Sequence, residues 1–599
     1  MFKKLIFLKN SYFNYFKKFI GIHMYGYIFI NFLIGLLDGL GLAMFIPLLA
    51  IATNSVNIQK SSENSSGLEY LIKFFNKFNL EISLVNVLII MISLFVIKGI
   101  IFYVRIIYLT KIRLFAVRKI RLNLVDGLQN LSYHAFTQMD AGKIQNNMVG
   151  ETGRLITALQ QYFNFLQHFI MLLTYVSMAY FSNWQFSLMV ALGGILSNVF
   201  FKYINKLTKS YSKRLTNIGN DFNGSLIQSI QNFKYLKATD YITHYSKRLS
   251  KSVYDNEEVT YKLGKLGAIA ESLREPMIIV IISIVIVVQV QVLGGDFSNM
   301  LVSLLLLYRA LAHLVSLQNA WNTFLSYSAS MESVDKLNED LFINKELLFV
   351  EKIDSIDQIK VDGVSLKFGN QKILDNVSLT IPPKKSIAFV GESGAGKTTL
   401  ANVICGLQPI DEGKVFIGKT ELYKSNLPIF RQKVGYITQE PVIFDDTIYN
   451  NVTFWAERSK GNIEKFNKVM EMVSLSNFIN DLEAKEDTRL GNNGILISGG
   501  QKQRVSIARE LYKDVNLLIL DEATSALDSE TEKYIKENID LLQGKCTIII
   551  IAHRLSTIKN VDKIFILEKG KIKDEGNFNE LLLKSEKFNR MVNLQEFND

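Results

Sequence analysis

The sequence predicts two folds in series: an all-α, six-helix transmembrane domain, then an α/β domain built around a P-loop. Three observations predict it. The first half of the 599 residues holds six long apolar runs, each at least the roughly 20 residues needed to cross a bilayer. From about residue 351 these give way to short β-rich runs alternating with helical stretches. One such run opens into Gly391-Glu392-Ser393-Gly394-Ala395-Gly396-Lys397-Thr398, a loop of the kind that cradles phosphate.

The chain starts with positive charge (Lys3, Lys4, Lys9, Lys17, Lys18) and enters an apolar run that is too long for a cleavable signal and lacks its small-residue cleavage site. It reads as a retained first span, roughly 22–52. The other spans are roughly 83–108, 158–182, 184–206, 275–294 and 297–325. Basic stretches follow the second (Lys111, Arg113, Arg118, Lys119, Arg121) and the fourth (Lys206, Lys209, Lys213, Arg214), which places both, with the N-terminus, on the cytoplasmic side. Helical patterning continues past the membrane from Arg113 to about Ser132, and from Lys206 to about Lys237. Short turns at Ala135–Gly142 and Asn232–Asp240 are candidates for contact with the second half. The external loop, about 53–82, ends in an amphipathic segment, Leu68–Phe78, which either lies on the outer membrane surface or caps the bundle.

The net charge is +11 and the pI about 9.1. A basic balance suits nucleic acid or an anionic membrane face. The apolar runs beside the basic stretches decide for the membrane, and no nucleic-acid partner is expected. The two cysteines, Cys405 and Cys546, both fall in the half read as cytosolic, where reduced, buried thiols are expected.

Ionisable residues inside spans are costly in lipid and point to function. They are Asp38 in the first span, Lys98 and Arg105 in the second, and Arg309 and His313, one helical turn apart, in the sixth. Asp38, Lys98, Arg309 and His313 are the candidate substrate-cavity residues, for an anionic headgroup. The competing reading is internal pairing, with Asp38 neutralising a cation and Arg105 snorkelling to the interface. Pro47 reads as a kink.

Residues 1–330 are therefore expected to form the transmembrane domain, 331–350 a charged linker, and 351–599 the nucleotide-binding domain. In the last, Ser386–Val390 reads as a buried strand, Gly391–Gly396 as a tight turn, and Lys397-Thr398-Thr399 as a helix start. Lys397 is placed to reach the β- and γ-phosphates of ATP, and the Thr398 hydroxyl to bind Mg²⁺. The apolar run Leu517–Leu520 delivers Asp521, a second Mg²⁺ ligand, and Glu522, a general base. Ser498-Gly499-Gly500-Gln501 precedes another helix and reads as a second anion-binding helix start. One nucleotide does not need two cradles from one subunit. Two subunits packed head to tail would supply one each.

In this order and spacing the P-loop, Gln439, Ile497–Gln501, Leu517–Glu522, Ser525–Asp528 (SALD) and His553 resemble the nucleotide-binding domain of an ABC transporter, over about 345–599. Six spans fused ahead of it resemble the exporter type, in which two such chains make one transporter. The resemblance implies that Gln439 touches Mg²⁺ or the attacking water, and that His553 contacts the γ-phosphate. It further implies that Asp528 contacts the dimer partner, and that Phe368 stacks on adenine where tyrosine is more usual. Ala135–Gly142 and Asn232–Asp240 would be the coupling-helix regions. Glu522, His553, Lys397 and Gln439 are then the catalytic set. Ile497 departs from the usual leucine, and Asn492-Asn493 from a more usual acidic–basic pair. No catalytic position is degenerate, which favours a homodimer with two competent sites.

The expected activity is ATP hydrolysis driving alternating access in a multi-pass protein of the inner (cytoplasmic) membrane, with its ATPase domain in the cytosol. The stretch Leu36–Leu49 is similar to exporters that flip lipid-linked saccharides, which favours an amphipathic, anionic lipid or lipid-linked saccharide as substrate. The short N-terminal lead leaves no room for a peptidase domain of the kind some peptide exporters carry. Peptide or multidrug export is the alternative. An ATP-gated channel or regulator is the alternative of another class, against which intact Glu522 and His553 argue.

Overall fold

The computed structural model describes residues 12–45, 48, 83–182, 184–288, 297–522 and 537–596, apart from 348, 354, 538, 541, 553 and 554. By contact the chain divides into two compact units, Met1–Leu131 with Gln138–Lys345, and Ser132–Thr137 with Glu346–Asp599.

The first unit is helical. Its elements are α1 (His23–Ala43), α2 (Leu84–Gln129), α3 (Tyr133–Gln138, mostly grouped with the second unit), α4 (Ala141–Asn146), α5 (Thr152–Ser182), α6 (Trp184–Gln231), α7 (Phe233–Ala238), α8 (Ile242–Ser272), α9 (Arg274–Val287) and α10 (Phe297–Ile343). Helices thus stand at all six expected span positions. The amphipathic segment 68–78, Pro47 and the end of the fifth span lie outside the described residues. Among the described residues, α1 and α2 are long and apolar enough to cross a membrane by length and composition alone.

The 46 residues of α2 and 48 of α6 correspond to helices of about 70 Å, more than twice the hydrocarbon thickness of a bilayer. Along the first half of α2, Val85, Ile89, Ile92, Val96 and Ile100 are exposed. An apolar face of that extent is a lipid-facing surface.

One face of α1 is buried, at Met24, Tyr27, Asn31, Ile34, Asp38 and Leu42, the three- and four-residue spacing of a helix stripe. Glycines bring it close to its neighbours: a side-chain carbon at Gly26 would stand 2.8 Å from the Tyr108 hydroxyl, and one at Gly35 2.8 Å from that of Thr174. Beyond the apolar region, polar contacts hold the bundle. Asn146 bonds Asn220 (2.7 Å) and accepts from Asn223 (3.0 Å), and a side-chain carbon at Gly142 would collide with the Gly224 backbone. A π-helical turn, Asn147–Glu151, inserts between α4 and α5. The charged stretch expected as a linker from 331 is helical to Ile343, because Met331, Val334, Leu337 and Leu341 bury one face of it.

The second unit holds two sheets. The strands are β1 (Ile359–Phe368), β2 (Gln371–Ile381), β3 (Ser386–Val390), β4 (Glu412–Ile417), β5 (Thr420–Glu421), β6 (Val434–Ile437), β7 (Leu517–Asp521), β8 (Thr547–Ile551), β9 (Lys563–Glu568) and β10 (Lys571–Gly576). A four-stranded sheet runs β2-β1-β4-β5, and a six-stranded sheet runs β10-β9-β3-β8-β7-β6. In the larger sheet β9, β3, β8, β7 and β6 are parallel and β10 closes one edge antiparallel. Every residue of β3 and β7 is buried, as expected of central parallel strands. Their carboxyl ends lie on one side of the sheet, where α/β folds place ligands.

Candidate functional site

The loop after β3 leads into helix α11 (Lys397–Ile404), with Gly396 at its N-cap in a left-handed conformation (φ +100°). Gly391, at φ +154°, lies so close to the Leu567 carbonyl that a side chain there would collide with it. These two positions explain why the turn is built from glycine. The Lys397 ammonium is buried and donates to the carbonyls of Gly391 (2.8 Å) and Glu392 (3.0 Å). Burial lowers its pKa, with the Glu522 and Asp521 carboxylates opposing.

Parallel pairing through β8 holds β7 beside β3 and brings its carboxyl end to the loop. The Thr398 hydroxyl lies 3.4 Å from Asp521 Oδ1, and Asp521 is buried. Glu522 follows in a left-handed backbone conformation (φ +50°), its amide donating to the Ile551 carbonyl. Gln439, beyond β6, donates its side-chain amide to Glu522 Oε2 at 2.8 Å. Lys397, Thr398, Gln439, Asp521 and Glu522, drawn from three separate stretches, thus gather at one end of the sheet. Ser393, Gly394, Ala395 and Thr399 lie in the same loop and helix start, and Phe368 presents an exposed ring at the end of β1. Asp528 and His553 lie outside the described residues.

Ser498 caps helix α12 (Gly499–Tyr512) in a reciprocal box: the Gln501 amide donates to Ser498 Oγ, and the Ser498 amide to Gln501 Oε1 (2.8 Å). A side-chain carbon at Gly499 would meet nothing within 4 Å, so this helix start is open on one face within its own unit.

Two features were not anticipated. Lys587, in helix α13 (Glu586–Glu596), bonds Glu392 of the loop (2.9 Å) and Glu568 (3.1 Å). Arg509 is buried and donates to the Asn451 and Val442 carbonyls, between the rings of Phe444 and Phe454. No spacing rule signals either, because each joins stretches far apart in the chain. Of the Ala135–Gly142 turn expected to meet the second half, Ala135–Thr137 group with the second unit as part of Ser132–Thr137, where the His134 ring nitrogen lies 2.9 Å from Gln408 Nε2. The Asn232–Asp240 stretch carries α7, with Phe233 and Tyr235 exposed.

The four residues picked out in the membrane unit come together around Tyr175. Its hydroxyl and the Lys98 ammonium both bond the Asp38 carboxylate, which is 3% exposed. The His313 ring stacks on Tyr175 at 5.3 Å and faces His168, with 3.0 Å between ring nitrogens. Arg309 interacts electrostatically with Tyr175 and is itself exposed. Lys98 is therefore neutralised within the chain. Tyr175 and His168, being of uncharged or weakly charged type, gave no signal in the sequence.

Two family models match. The ABC transporter transmembrane region covers residues 28–316, and the ABC transporter model covers 374–525. The chain is 28% identical over 490 residues to an ATP-dependent lipid A-core flippase of Francisella tularensis subsp. tularensis, covering 79% of each protein. It is 28% identical over 462 residues to the heterocyst differentiation ATP-binding protein HepA of Nostoc sp., covering 76% of this chain and 75% of that one. Its fold superposes on a bacterial Atm1-family ABC exporter solved with ATP bound, with a TM-score of 0.80, 20% identity, and coverage of 96% of this chain and 99% of that one. Together with the phosphate loop and the gathered Thr398, Asp521 and Glu522, these matches place the chain in the ABC transporter family, as an exporter-type polypeptide that joins a transmembrane region to an ATPase and couples ATP hydrolysis to transport.

Proposed function

We propose that two copies of this chain form a homodimer in the cytoplasmic membrane, with the ATPase domains in the cytosol, and flip an anionic amphipathic lipid of the lipid-linked saccharide class. The observation that carries the substrate class is the match across 79% of both proteins to a relative named for flipping lipid A-core. The buried polar cluster around Tyr175 supports it, because ionisable groups kept inside a membrane unit mark a path for polar cargo. Arg309 is the cation of that cluster left exposed to meet a headgroup.

The residues fit MgATP. The Thr398 hydroxyl and Asp521 carboxylate form an all-oxygen donor set, and Mg²⁺ is ordinarily held by one or two carboxylates plus phosphates. Among the described residues no three His, Cys, Asp or Glu side chains gather to hold a metal by themselves. Thr398, Asp521 and Gln439 would hold the ion, which supplies charge neutralisation on the β- and γ-phosphates. Lys397 exchanges its two loop carbonyls for phosphate oxygens. Glu522 accepts a proton from water as the water oxygen bonds the γ-phosphorus and the bond to ADP breaks. Gln439 positions Glu522 and reports its state to the membrane unit. His553 contacts the γ-phosphate, Phe368 the adenine, and Ser498–Gln501 with Asp528 of a second copy close the site.

Reconstitution in liposomes tests this. A fluorescent anionic lipid in the outer leaflet, the one on the side of outward-facing ATPase domains, should become protected from an outside quencher only with ATP. Steady hydrolysis with no movement of lipid, peptide or drug would overturn lipid flipping and favour the regulator.

A further inference from the structure

We propose that Arg105, Tyr27 and Asn31 form a binding site for the phosphate of an anionic lipid in the cytoplasmic leaflet. Arg105 is 8% exposed, and Tyr27 and Asn31 are 0% exposed. Arg105 Nε and Nη1 and Asn31 Oδ1 are buried with no hydrogen-bond partner, and the buried Tyr27 hydroxyl has only the Asn31 side chain beside it. Buried guanidinium donors are almost always paired, because leaving them bare in a low-dielectric interior costs several kcal/mol. Two bare donors on one arginine, beside a buried hydroxyl, suit an anion.

The three side chains face one another across the seam of α1 and α2. Tyr27 and Asn31 are one turn apart on the buried face of α1, and Arg105 interacts electrostatically with Tyr27. The niche is built. The guanidinium lies over the Phe102 ring at 4.3 Å, the Tyr27 ring packs edge-on to Phe163 at 4.6 Å, and the Asn31 amide donates to the Tyr27 carbonyl at 2.8 Å. That last bond uses the Asn31 amide nitrogen and leaves its Oδ1 as an acceptor.

Depth selects the ligand. On the cytoplasmic side the seam is closed by Gly26 against Tyr108 and by the Tyr108 hydroxyl at 3.1 Å from His23. Arg105 is three residues from Tyr108, about 5 Å further into the membrane, and Asp38–Lys98 is about 10 Å further again. The guanidinium therefore sits at the level of inner-leaflet phosphates, while the deeper cation is already neutralised by Asp38. Two donors on a guanidinium and a phenol suit phosphate oxygens, and the Asn31 acceptor suits a hydroxyl beside the phosphate. Phosphatidylglycerol carries both groups, as does a phosphorylated saccharide lipid. The site rests on the lipid-flipping reading only in taking its ligand from the leaflet.

The test uses the purified full-length protein in detergent, without nucleotide, and measures binding of phosphatidylglycerol, phosphatidylcholine and soluble glycerol phosphate by native mass spectrometry. The wild type should prefer phosphatidylglycerol over phosphatidylcholine about tenfold, the worth of one charge-assisted contact. Arg105→Gln should erase that preference, and Tyr27→Phe, which removes one oxygen and keeps the packing, should weaken it several-fold. Wild-type preference in Tyr27→Phe and in a folded Arg105→Gln would overturn the site. So would displacement of the lipid by equimolar glycerol phosphate, which would show an aqueous anion site. Lipid translocation by the wild type is read separately in liposomes, so loss of the site and loss of the flipping assignment are distinct results.

Discussion

Lys98→Met should destabilise the membrane unit, and Asp38→Asn should restore most of the loss. Lys98 and Asp38 lie 60 residues apart and meet only because α1 and α2 pack together. The carboxylate side chain is 4% exposed and the ammonium 25%. Removing one member of a buried pair typically costs about 3–5 kcal/mol, because the other charge is left uncompensated. The partial exposure of Lys98, and the remaining Tyr175 bond to Asp38, reduce this to about 2–3 kcal/mol. For a unit of this size that corresponds to a fall of about 5 °C in unfolding midpoint. In the double variant Asp38→Asn, Lys98→Met no charge is buried, and the midpoint should return to within about 2 °C of wild type. The assay is fluorescence-detected thermal unfolding in detergent for all four members of the cycle. Equal destabilisation in Lys98→Met and in the double variant would refute the pairing argument. If Lys98→Met melts like wild type but loses lipid-stimulated ATPase, Lys98 serves the substrate and not the fold.

Three further outcomes follow from the second unit. Glu522→Gln should still bind ATP in a filter or fluorescence assay but lose turnover by about 100-fold or more; retained turnover would remove Glu522 as the base. Gly391→Ala should weaken ATP binding at least tenfold, because its left-handed backbone and the Leu567 carbonyl leave no room for a methyl group, and unaltered binding would show that the loop relaxes freely. Asp446 is held at about 2, below its ordinary 3.8, by bonds from the Trp455 indole, the Asn450 amide and the Thr447 backbone. A depressed carboxyl stabilises the fold above its unfolded pKa and ceases to do so as pH falls through the folded one. The midpoint difference between wild type and Asp446→Asn should therefore be full above about pH 4 and shrink toward pH 2; a difference that does not vary with pH would refute it.

The membrane helices and the phosphate loop were legible because each rests on local physics. A span needs a long apolar run, and a P-loop needs glycine where the backbone turns left-handed and passes close to a carbonyl. The strand β2 was not picked out. Its alternation (Leu374, Val377, Leu379 and Ile381 inward) is interrupted by Asp375-Asn376, and Asn376 takes a left-handed conformation at an irregularity in the register with β1. The π-turn at Asn147–Glu151 was equally silent, since any run of helix-compatible residues can hold one extra residue per turn when neighbours such as Ser333 bond it (2.7 Å).

Read alone, the sequence determined the two-part order, the helix lengths that outrun a bilayer, and the residue types that gather at the carboxyl ends of the parallel strands. It could list Asp38, Lys98, Arg105, Arg309 and His313 as costly residues, but not say which of them were partnered. That was decided by tertiary structure, because pairing depends on how α1, α2, α5 and α10 are rotated about their axes, and rotation is set by packing of residues far apart in the chain. The rotation observed joins Lys98 to Asp38, stacks His313 on Tyr175, and leaves Arg105 buried with two donors unmet.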